Sequence, residues 1–309
     1  MASGKNQLVS TSTGIMYAFL TGQGGANPQN DNIIFRLNSD GSIAAQQAVG
    51  FSGTNIGIAE GSKMVVIVSN TGNGAGVSFG DDALAGTSSG FVSFSTTPTY
   101  ISDLATTLNN GCVAQPKDNL VTGFPVGVGT VTGHSVAVTN PVAVAGVVFG
   151  TEERCVVYSA TGKVTQFVLP AMTPVGTPIT VAGGASDHFQ MIVFQSGGLQ
   201  GDAGLLDEES GHVAVLNLSL GTVVSQNTVS LGTGQIAAAL FADDANSALT
   251  VARTDVATGV AHFVRASGAA TPVTLGSSTT KFPVGVLRNN ATGRIVVFDN
   301  GAVSTFANQ

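Results

Sequence analysis

Four stretches of the chain share one pattern, in which an apolar strand is followed by a short polar turn and a second, Val-rich strand. They cover residues 56–69, 147–158, 239–251 and 286–298. The second strands begin at Met64, Cys155, Leu249 and Arg294, so successive starts are 91, 94 and 45 residues apart. These steps are near two, two and one multiples of roughly 46 residues, and a fixed period in the forties with several short strands per unit is typical of a β-propeller. The repeat therefore predicts radial blades instead of one large core.

Further units are expected between these four. Apolar runs in phase with the repeat occur at residues 15–20, 111–121 and 188–194, the second of them weakly patterned. Counted this way, residues 1–309 form one propeller domain of seven blades, each of roughly 46 residues; six blades are the alternative if the weak unit belongs to a neighbour. Inner strands are expected near residues 56–59, 143–148, 189–194, 236–241 and 283–287.

The remaining half of each unit also has the pattern of strands. Residues 33–43, 215–223 and 262–270 alternate apolar and polar side chains around an Asp-Gly, Leu-Gly or Ser-Gly pair, which is typical of hairpins. Together with the Val-rich hairpins they give four antiparallel strands per unit. Helix signals are nearly absent, so the predicted fold class is all-β. Pairing between the two ends of the chain is expected to close the propeller.

Charged residues make up only 9% of the chain, against about 25% in a typical soluble domain. Apolar residues stand at 43%, so Gly, Ser, Thr, Asn and Gln replace the missing charge. The net charge is −7, and the 11 Lys and Arg residues are scattered singly. A nucleic-acid surface needs a basic patch that releases counterions, so nucleic acid is rejected as a partner. The composition predicts a folded β-protein with a nearly neutral surface.

The start of the chain carries one Lys with no apolar run behind it, which differs from a secretory signal. The longest apolar run, residues 141–149, is too short to span a bilayer. Synthesis in the cytoplasm without membrane insertion is therefore expected. The two cysteines, Cys112 and Cys155, are interpreted as small buried apolar residues, with a disulfide or a redox pair as the alternative; two cysteines are too few for a secreted disulfide scaffold.

Residues 234–251 and 281–297 resemble the blade starts of the YVTN/lactonase-like propellers. In that family an inner strand, a turn with Asp, Asn or Gly, and a Val-rich second strand recur along the chain. The resemblance of pattern extends over about two-thirds of this chain and implies the architecture. The tetrad Tyr-Val-Thr-Asn, for which the family is named, occurs in none of the units.

Propellers commonly bind ligands where their inner strands begin, around the mouth of the central channel. The polar residues just before or at these starts are the candidates for a small-ligand or cation site: Asp187, His188, Gln235, Lys281, Asn55 and Asn140. The alternative interpretation is a polar lining of a water-filled channel. The set is poor in the acids and imidazoles that a lactonase-like or metal-dependent propeller would need there.

Residues 201–212 are predicted to form a long loop that holds the densest charge cluster in the chain. Its carboxylates are the candidate ligands of a structural Ca²⁺, which is the single cofactor considered: Asp202, Asp207, Glu208 and Glu209. Carboxylate oxygens suit this cation, but the spacing matches no EF-hand loop. A solvated acidic loop is the alternative interpretation.

No catalytic motif is found. Residues 86–90 match Gly-x-Ser-x-Gly, but that motif acts as a nucleophile elbow at a strand-to-helix turn, and an all-β chain offers none. The Gly-rich residues 72–76 lack the Gly-Lys-Ser/Thr of a phosphate-binding loop. We therefore expect a protein that performs no chemistry.

The predicted function is that of a structural or interaction protein with other protein subunits as partners. The Gly-, Ala-, Val-, Thr- and Ser-rich composition with low charge resembles that of bacteriophage virion proteins, which implies a tail, spike or decoration component located in the virion. The alternatives are a cytoplasmic or periplasmic propeller that acts as an interaction platform, and a lactonase-like propeller enzyme.

Overall fold

The computed structural model shows a succession of short β-strands. It describes residues 8–20, 33–49, 53–71, 74–85, 89–181, 188–194, 197–243, 247–255, 257, 260–266, 273–281, 285–289, 294–299 and 302–306. Within these ranges there is no α-helix, and two single 3-10 turns occupy Pro116–Asp118 and Gly197–Leu199. No helix of the described ranges has the length and apolar character to cross a membrane. The all-β prediction is confirmed.

The described strands form seven sheets, numbered here in chain order. Sheet 1 contains β1 (Leu8–Ser10), β2 (Met16–Leu20), β3 (Ile33–Leu37) and β4 (Ile43–Ala48). Sheet 2 contains β5 (Gly53–Ala59), β6 (Met64–Thr71), β7 (Gly74–Asp81) and β8 (Ser89–Ser93). Sheet 3 contains β9 (Asp103–Thr106), β10 (Asn110–Gln115) and β11 (Leu120–Pro125). The chain then adds β12 (Gly129–Thr132) to sheet 2 and β13 (His134–Ala137) to sheet 3.

The second half of the chain is more regular. Sheet 4 contains β14 (Pro141–Phe149), β15 (Glu152–Ser159), β16 (Lys163–Val168) and β17 (Thr173–Thr180). Sheet 5 contains β18 (Phe189–Val193), β19 (Ala203–Asp207), β20 (His212–Asn217) and β21 (Thr222–Thr228). Sheet 6 contains β22 (Gln235–Asp243), β23 (Ala248–Asp255), β24 (Val260–Ala266) and β25 (Val273–Lys281). Sheet 7 contains β26 (Gly285–Asn289), β27 (Arg294–Asp299) and β28 (Ala302–Phe306).

The first strand of each sheet lies beside the first strand of the next. These inner strands are, in order, β1, β5, β9, β14, β18, β22 and β26, and β26 in turn lies beside β1. Sheets that radiate from a closed row of inner strands form a β-propeller, which confirms the predicted architecture. The inner strands β5, β14, β18, β22 and β26 overlap the five ranges predicted from the repeat. The number of blades stays a prediction, and the described residues supply seven sheets.

The ring closes where the first and the last sheets meet. Among the described strands, β1 pairs with β2 and β28 pairs with β27, and no strand of sheet 1 pairs with one of sheet 7. The reason is that the N-terminal strand takes an innermost position, whereas β28 lies at the outer edge of its sheet. Sheets 1 and 7 therefore meet side by side, through β1 and β26.

Apolar layers fill the spaces between neighbouring sheets. The layer between sheets 2 and 3 contains Val66, Leu104 and Phe124, and the layer between sheets 4 and 5 packs Tyr158 on Phe189 with ring centroids 4.4 Å apart. Each sheet has a neighbour on both sides, so its second strand is covered on both faces. This burial explains the Val-rich runs of β6 and β15, which do not alternate with polar residues.

The predicted long loop at residues 201–212 is wrong. Five of its residues, Ala203–Asp207, form β19, which is buried along its whole length and is the second strand of sheet 5. The segment that follows, His212–Asn217, is the third strand of the sheet, β20. The short Gly-Leu-Leu run is flanked by Gly and Asp residues, which are rare in strands, so the sequence pattern does not indicate a strand here. Packing between the sheets stabilises it.

The two cysteines are buried, as expected, but they form a disulfide and are not separate thiols. Cys112 on β10 and Cys155 on β15 have Cα atoms 6.2 Å apart and link sheet 3 to sheet 4. They are separated by 43 residues, which is close to one repeat. Cys112 faces the next sheet and Cys155 faces the preceding one, so both side chains lie in the apolar layer between sheets 3 and 4, where the pair meets.

Candidate functional site

The alternating strand directions give the propeller two faces. The turns between first and second strands and between third and fourth strands lie on one of them, which we call the hairpin face. The turns between second and third strands, together with the connections into each first strand, lie on the other, which we call the entry face. The predicted channel-mouth residues belong to the entry face.

Two of these predicted residues, Asn55 and Asn140, fix the local structure. Asn55 is buried on β5, and its Nδ2 donates to the carbonyl oxygen of Ser102 over 3.3 Å, while its Oδ1 is buried without a partner. Asn140 has a φ of 44° and donates its N–H to Asn119 Oδ1 over 2.9 Å. Asn tolerates this left-handed conformation better than most residues, so a turn explains the residue type here.

Among the described residues, the other predicted channel-mouth residues belong to sheets 5 and 6. Gln235 accepts a hydrogen bond from the Gly232 N–H over 3.1 Å, within its own turn. His188 Nδ1 lies 3.0 Å from Glu209 Oε1, and both side chains are more than half exposed. Asp187 lies outside the described residues, and Lys281 is described only as the last residue of β25. The ligand site at the channel mouth stays a prediction.

The predicted acidic cluster is divided between the two faces. Asp202 and Asp207 stand at opposite ends of β19, and a strand of that length separates them by roughly 16 Å. Asp202 and Asp207 are too far apart to bind the same ion, and the candidate Ca²⁺ site stays a prediction. Among the described residues, no group of three or more His, Cys, Asp or Glu side chains is placed to hold a metal.

Each of these carboxylates has a local partner. Asp207 accepts hydrogen bonds from Ser210 Oγ (2.8 Å) and from the Glu209 N–H (3.0 Å), which closes the turn into β20. Glu208 Oε1 accepts from Gln190 Nε2 over 3.1 Å. Burial raises the pKa of the Asp202 carboxyl, and a hydrogen bond from the Leu218 N–H acts in the opposite direction.

The large apolar side chains that remain exposed are concentrated toward the hairpin face. Among the described residues they are Ile43, Phe91, Leu108, Val128, Val148, Leu220 and Val224. Five of them lie in the connections of this face or next to one, and the other two, Phe91 and Val224, lie within strands. None of the described ones lies on the entry face. Within the described ranges, the exposed large apolar residues therefore mark the hairpin face.

Leu108 and Val148 follow a close contact between neighbouring sheets. A Cβ added to Gly146 on β14 would lie 2.4 Å from the carbonyl oxygen of Thr106 on β9, so these two backbones are in close contact. Both inner strands run toward the hairpin face. Leu108, 45% exposed, follows Thr106 by two residues, and Val148, 36% exposed, follows Gly146 by two.

Val128 and Phe91 extend this apolar surface toward sheet 2. The Val126 N–H donates to the Asn109 carbonyl over 2.8 Å. This hydrogen bond holds the segment before β12 against the turn that contains Leu108. Gly90 precedes Phe91 and packs on the backbone of the two glycines on either side of Val128. A Cβ added to Gly90 would lie 2.5 Å from the carbonyl oxygen of Gly127. We call Phe91, Leu108, Val128 and Val148 the apolar strip.

A buried carboxylate lies beneath the apolar strip. Glu153, only 9% exposed, accepts hydrogen bonds from Thr107 Oγ1, from the Asn109 N–H (3.0 Å), from Asn109 Nδ2 (3.1 Å) and from Asn110 Nδ2 (2.9 Å). We call these four residues the Glu153 network. Burial alone would raise the pKa of the Glu153 carboxyl, but the hydrogen bonds outweigh it and hold that pKa below its usual range. The network fixes the turn of sheet 3 against β15 of sheet 4.

The end of the apolar strip in sheet 4 carries an aromatic ring and an ion pair. The Arg154 guanidinium lies 4.7 Å from the centroid of the Phe149 ring, a cation–π contact. Arg154 Nε also donates to Glu152 Oε1 over 2.5 Å, and its NH1 donates to Gln166 Oε1 over 3.1 Å. The other edge of the Phe149 ring lies against Gly201 of sheet 5. This surface therefore extends from sheet 2 to sheet 5.

The apolar strip was not predicted from the sequence, because the predicted ligand site consists of polar residues around the channel and the strip contains none. One signal was present: Leu108 precedes an Asn-Asn pair, and Val128 stands between two glycines. A large apolar side chain within a turn is exposed unless another element covers it. Such residues mark a contact surface better than the polar starts of the inner strands.

No family model and no curated protein sequence matches this chain. Solved structures match its fold. The β-propeller domain of Cps50 (Swd1) from Myceliophteria thermophila matches with a TM-score of 0.69 and 6% identity, over 100% of this chain and 98% of that domain. A chain in the mitotic checkpoint complex matches with a TM-score of 0.63 and 8% identity, over 98% of this chain and 86% of that chain. At these identities the likeness shows the fold, and a fold by itself does not determine a function.

Proposed function

We propose that this protein is a non-enzymatic interaction platform, a propeller that binds other proteins through its hairpin face. The observation that carries the proposal is the apolar strip, in which four large apolar residues from sheets 2, 3 and 4 are exposed and stand near close backbone contacts between those sheets. Exposed apolar patches on a folded surface mark sites of protein contact. The Glu153 network holds the turns beneath it in place, so little conformational freedom would be lost on binding.

The structural comparisons support the platform more than a virion component. One of the matched chains belongs to a multiprotein complex, the mitotic checkpoint complex. Nothing in the comparisons supports a tail, spike or decoration protein. The alternative of a lactonase-like enzyme is supported only by the pattern of its blades.

Quantitative affinity capture from an extract of the source organism tests this proposal. The bait variant Leu108→Ser/Val148→Ser should lose proteins that the wild-type chain captures. Val224→Ser is the matched control, because Val224 is 51% exposed on the outer strand β21, away from the strip. Identical capture by all three baits would contradict an interface on the hairpin face. Hydrolysis of a lactone or ester by the purified chain would contradict the non-enzymatic assignment.

A further inference from the structure

One continuous segment, residues 129–137, forms the outer edge of two neighbouring sheets, and we call it the rim segment. Its first part is β12, which pairs with β8 of sheet 2, and its second part is β13, which pairs with β11 of sheet 3; both pairings run without a register shift. The outer strands of sheets 1, 4, 5 and 6, which are β4, β17, β21 and β25, each have a register shift in their pairing. Such irregularities blunt a sheet edge against further pairing. The rim segment therefore lacks a protection that these other edges have.

Two hydrogen bonds fix the directions in which the backbone groups of the rim segment point. The Gly133 N–H donates to the Ser93 carbonyl of sheet 2 over 3.0 Å, and the Val138 N–H, just beyond the segment, donates to the Asn119 carbonyl of sheet 3 over 3.0 Å. Successive residues of a strand direct their backbone groups to opposite sides. The residues whose N–H and C=O groups point away from the sheets are therefore Thr130, Thr132, Ser135 and Ala137, and all four are exposed.

The order of these four outward residues is the same in both directions along the chain. The alternation is interrupted between Gly133 and His134, which both direct their backbone groups toward the sheets, so the outward residues are spaced by two, three and two positions. A regular partner strand alternates without interruption, so it could pair with the two outward residues of one half only. An antiparallel strand with the same interruption could pair with all four.

We propose that this protein self-associates through the rim segment, which pairs with the rim segment of a second copy in antiparallel orientation about a two-fold axis. In this register Thr130 lies opposite Ala137 of the second copy, and Thr132 lies opposite Ser135 of the second copy. A two-fold interface of this kind brings the same surface of both copies together. The interaction goes beyond the proposed binding of other proteins and uses a different surface, the rim instead of the hairpin face.

The apolar side chains of the rim segment agree with this register. Val131 packs against the apolar layer between sheets 2 and 3, and Val136 packs against the layer between sheets 3 and 4. Each valine thus faces the sheet that follows its own, so both lie on the same side of the rim segment, although strict alternation would place residues five positions apart on opposite sides. Residues directly opposite each other in an antiparallel pair share one face. Val131 would therefore pack beside Val136 of the second copy.

The distribution of charge also favours a second copy as the partner. The chain has a net charge of −7, so two copies repel each other wherever their acids approach. Residues 126–139 contain no Asp, Glu, Lys or Arg. Two copies can therefore meet along this edge without opposing like charges, and main-chain hydrogen bonds between the outward groups supply the attraction.

Sedimentation equilibrium of the purified full chain tests the proposal. The wild type should show a concentration-dependent equilibrium between monomer and dimer, and a chain that stays monomeric up to about 1 mM would overturn the proposal. Thr132→Lys/Ser135→Lys places like charges opposite each other at two positions and should raise the dimer Kd by about tenfold or more. Thr132→Glu/Ser135→Lys places opposite charges at the same positions and should stay within about threefold of the wild type. Equal Kd values for these two variants would overturn the two-fold register.

Proline substitutions locate the contact on the rim. Ser135→Pro removes one outward N–H, a change that an edge strand tolerates, and should raise the dimer Kd by about tenfold or more. Gln226→Pro is the matched control, because the Val229 N–H donates inward to the Gly211 carbonyl over 2.9 Å and the Gln226 N–H therefore points outward on β21. The control should dimerise like the wild type, and urea midpoints near that of the wild type verify that both variants are folded. Equal Kd values for the two proline variants would overturn the proposal.

Discussion

The Glu153 network provides the sharpest test of how neighbouring sheets are held together. Glu153→Gln keeps the shape of the side chain and removes its charge. The amide nitrogen at the position of Oε1 would face Asn109 Nδ2, a second donor, so the 3.1 Å hydrogen bond is lost. The three bonds to Oε2 remain, but their acceptor is now neutral.

The magnitude follows from these contacts. Loss of a hydrogen bond to a charged group costs about 1.5 to 3 kcal/mol, and a neutral acceptor weakens each remaining bond by up to about 1 kcal/mol. Relief of the desolvated charge offsets part of this loss. We expect the free energy of unfolding to fall by about 2 to 4 kcal/mol in urea titrations at neutral pH. Glu152→Gln is the matched control, since the Glu152 side chain is 41% exposed and its single ion pair should contribute less than about 1 kcal/mol.

The effect of Glu153→Gln depends on pH in a defined direction. Because the pKa of Glu153 is lower in the folded chain than in the unfolded one, its ionised form adds stability above the unfolded pKa of about 4.3. That stability is lost as the pH falls through the folded pKa. The difference between wild type and variant should therefore be constant near neutrality and shrink in acid. Equal urea midpoints for Glu153→Gln and Glu152→Gln at pH 7 would refute the reasoning.

Three further predictions concern stability and the predicted entry-face site. Removing the disulfide by Cys112→Ala/Cys155→Ala should cost about 4 kcal/mol of unfolding free energy, from the loop that it closes; an unchanged urea midpoint would contradict this. Gly146→Ala should cost about 1 to 3 kcal/mol because its Cβ meets backbone, whereas Gly127→Ala, with open space around the added Cβ, serves as control; equal melting curves would argue against close packing there. His188→Ala should change stability by less than about 1 kcal/mol, as is usual at exposed sites, while abolishing binding of any channel-mouth ligand found by calorimetry; retained binding would reject that site.

The architecture could be predicted from sequence because the repeat records it directly. Val-rich second strands such as β6 and β27 begin at the predicted Met64 and Arg294, since burial on both faces imposes the same composition in every sheet. Strand β19 could not be predicted, because its short Gly-Leu-Leu core has little β-propensity of its own and forms through packing between sheets. The disulfide could not be predicted from the separation of its cysteines, because a shift of one residue along either strand would turn that side chain to the other face of its sheet.

The candidate site was much harder to predict than the fold. Its polar residues, such as Asn55 and Asn140, are explained locally by burial and by a left-handed turn. The apolar strip depends on which turns meet across sheets, and Leu108 and Val148 are 40 residues apart in the chain. They follow a close contact between β9 and β14, at Thr106 and Gly146. No local pattern contains that contact.

The route of the chain between β11 and β14 has a consequence for how the ring opens. One continuous segment pairs first with β8 of sheet 2 and then with β11 of sheet 3, and the disulfide adds sheet 4 to this pair. Sheets 2 to 4 thus share covalent and strand connections, whereas the described strands of sheets 1 and 7 are not paired with each other and meet through β1 and β26. Sheets 2 to 4 should therefore behave as one cooperative unit in native-state hydrogen exchange. Amide protection should then fall off toward the junction of sheets 1 and 7, the place where a thermally excited ring parts first.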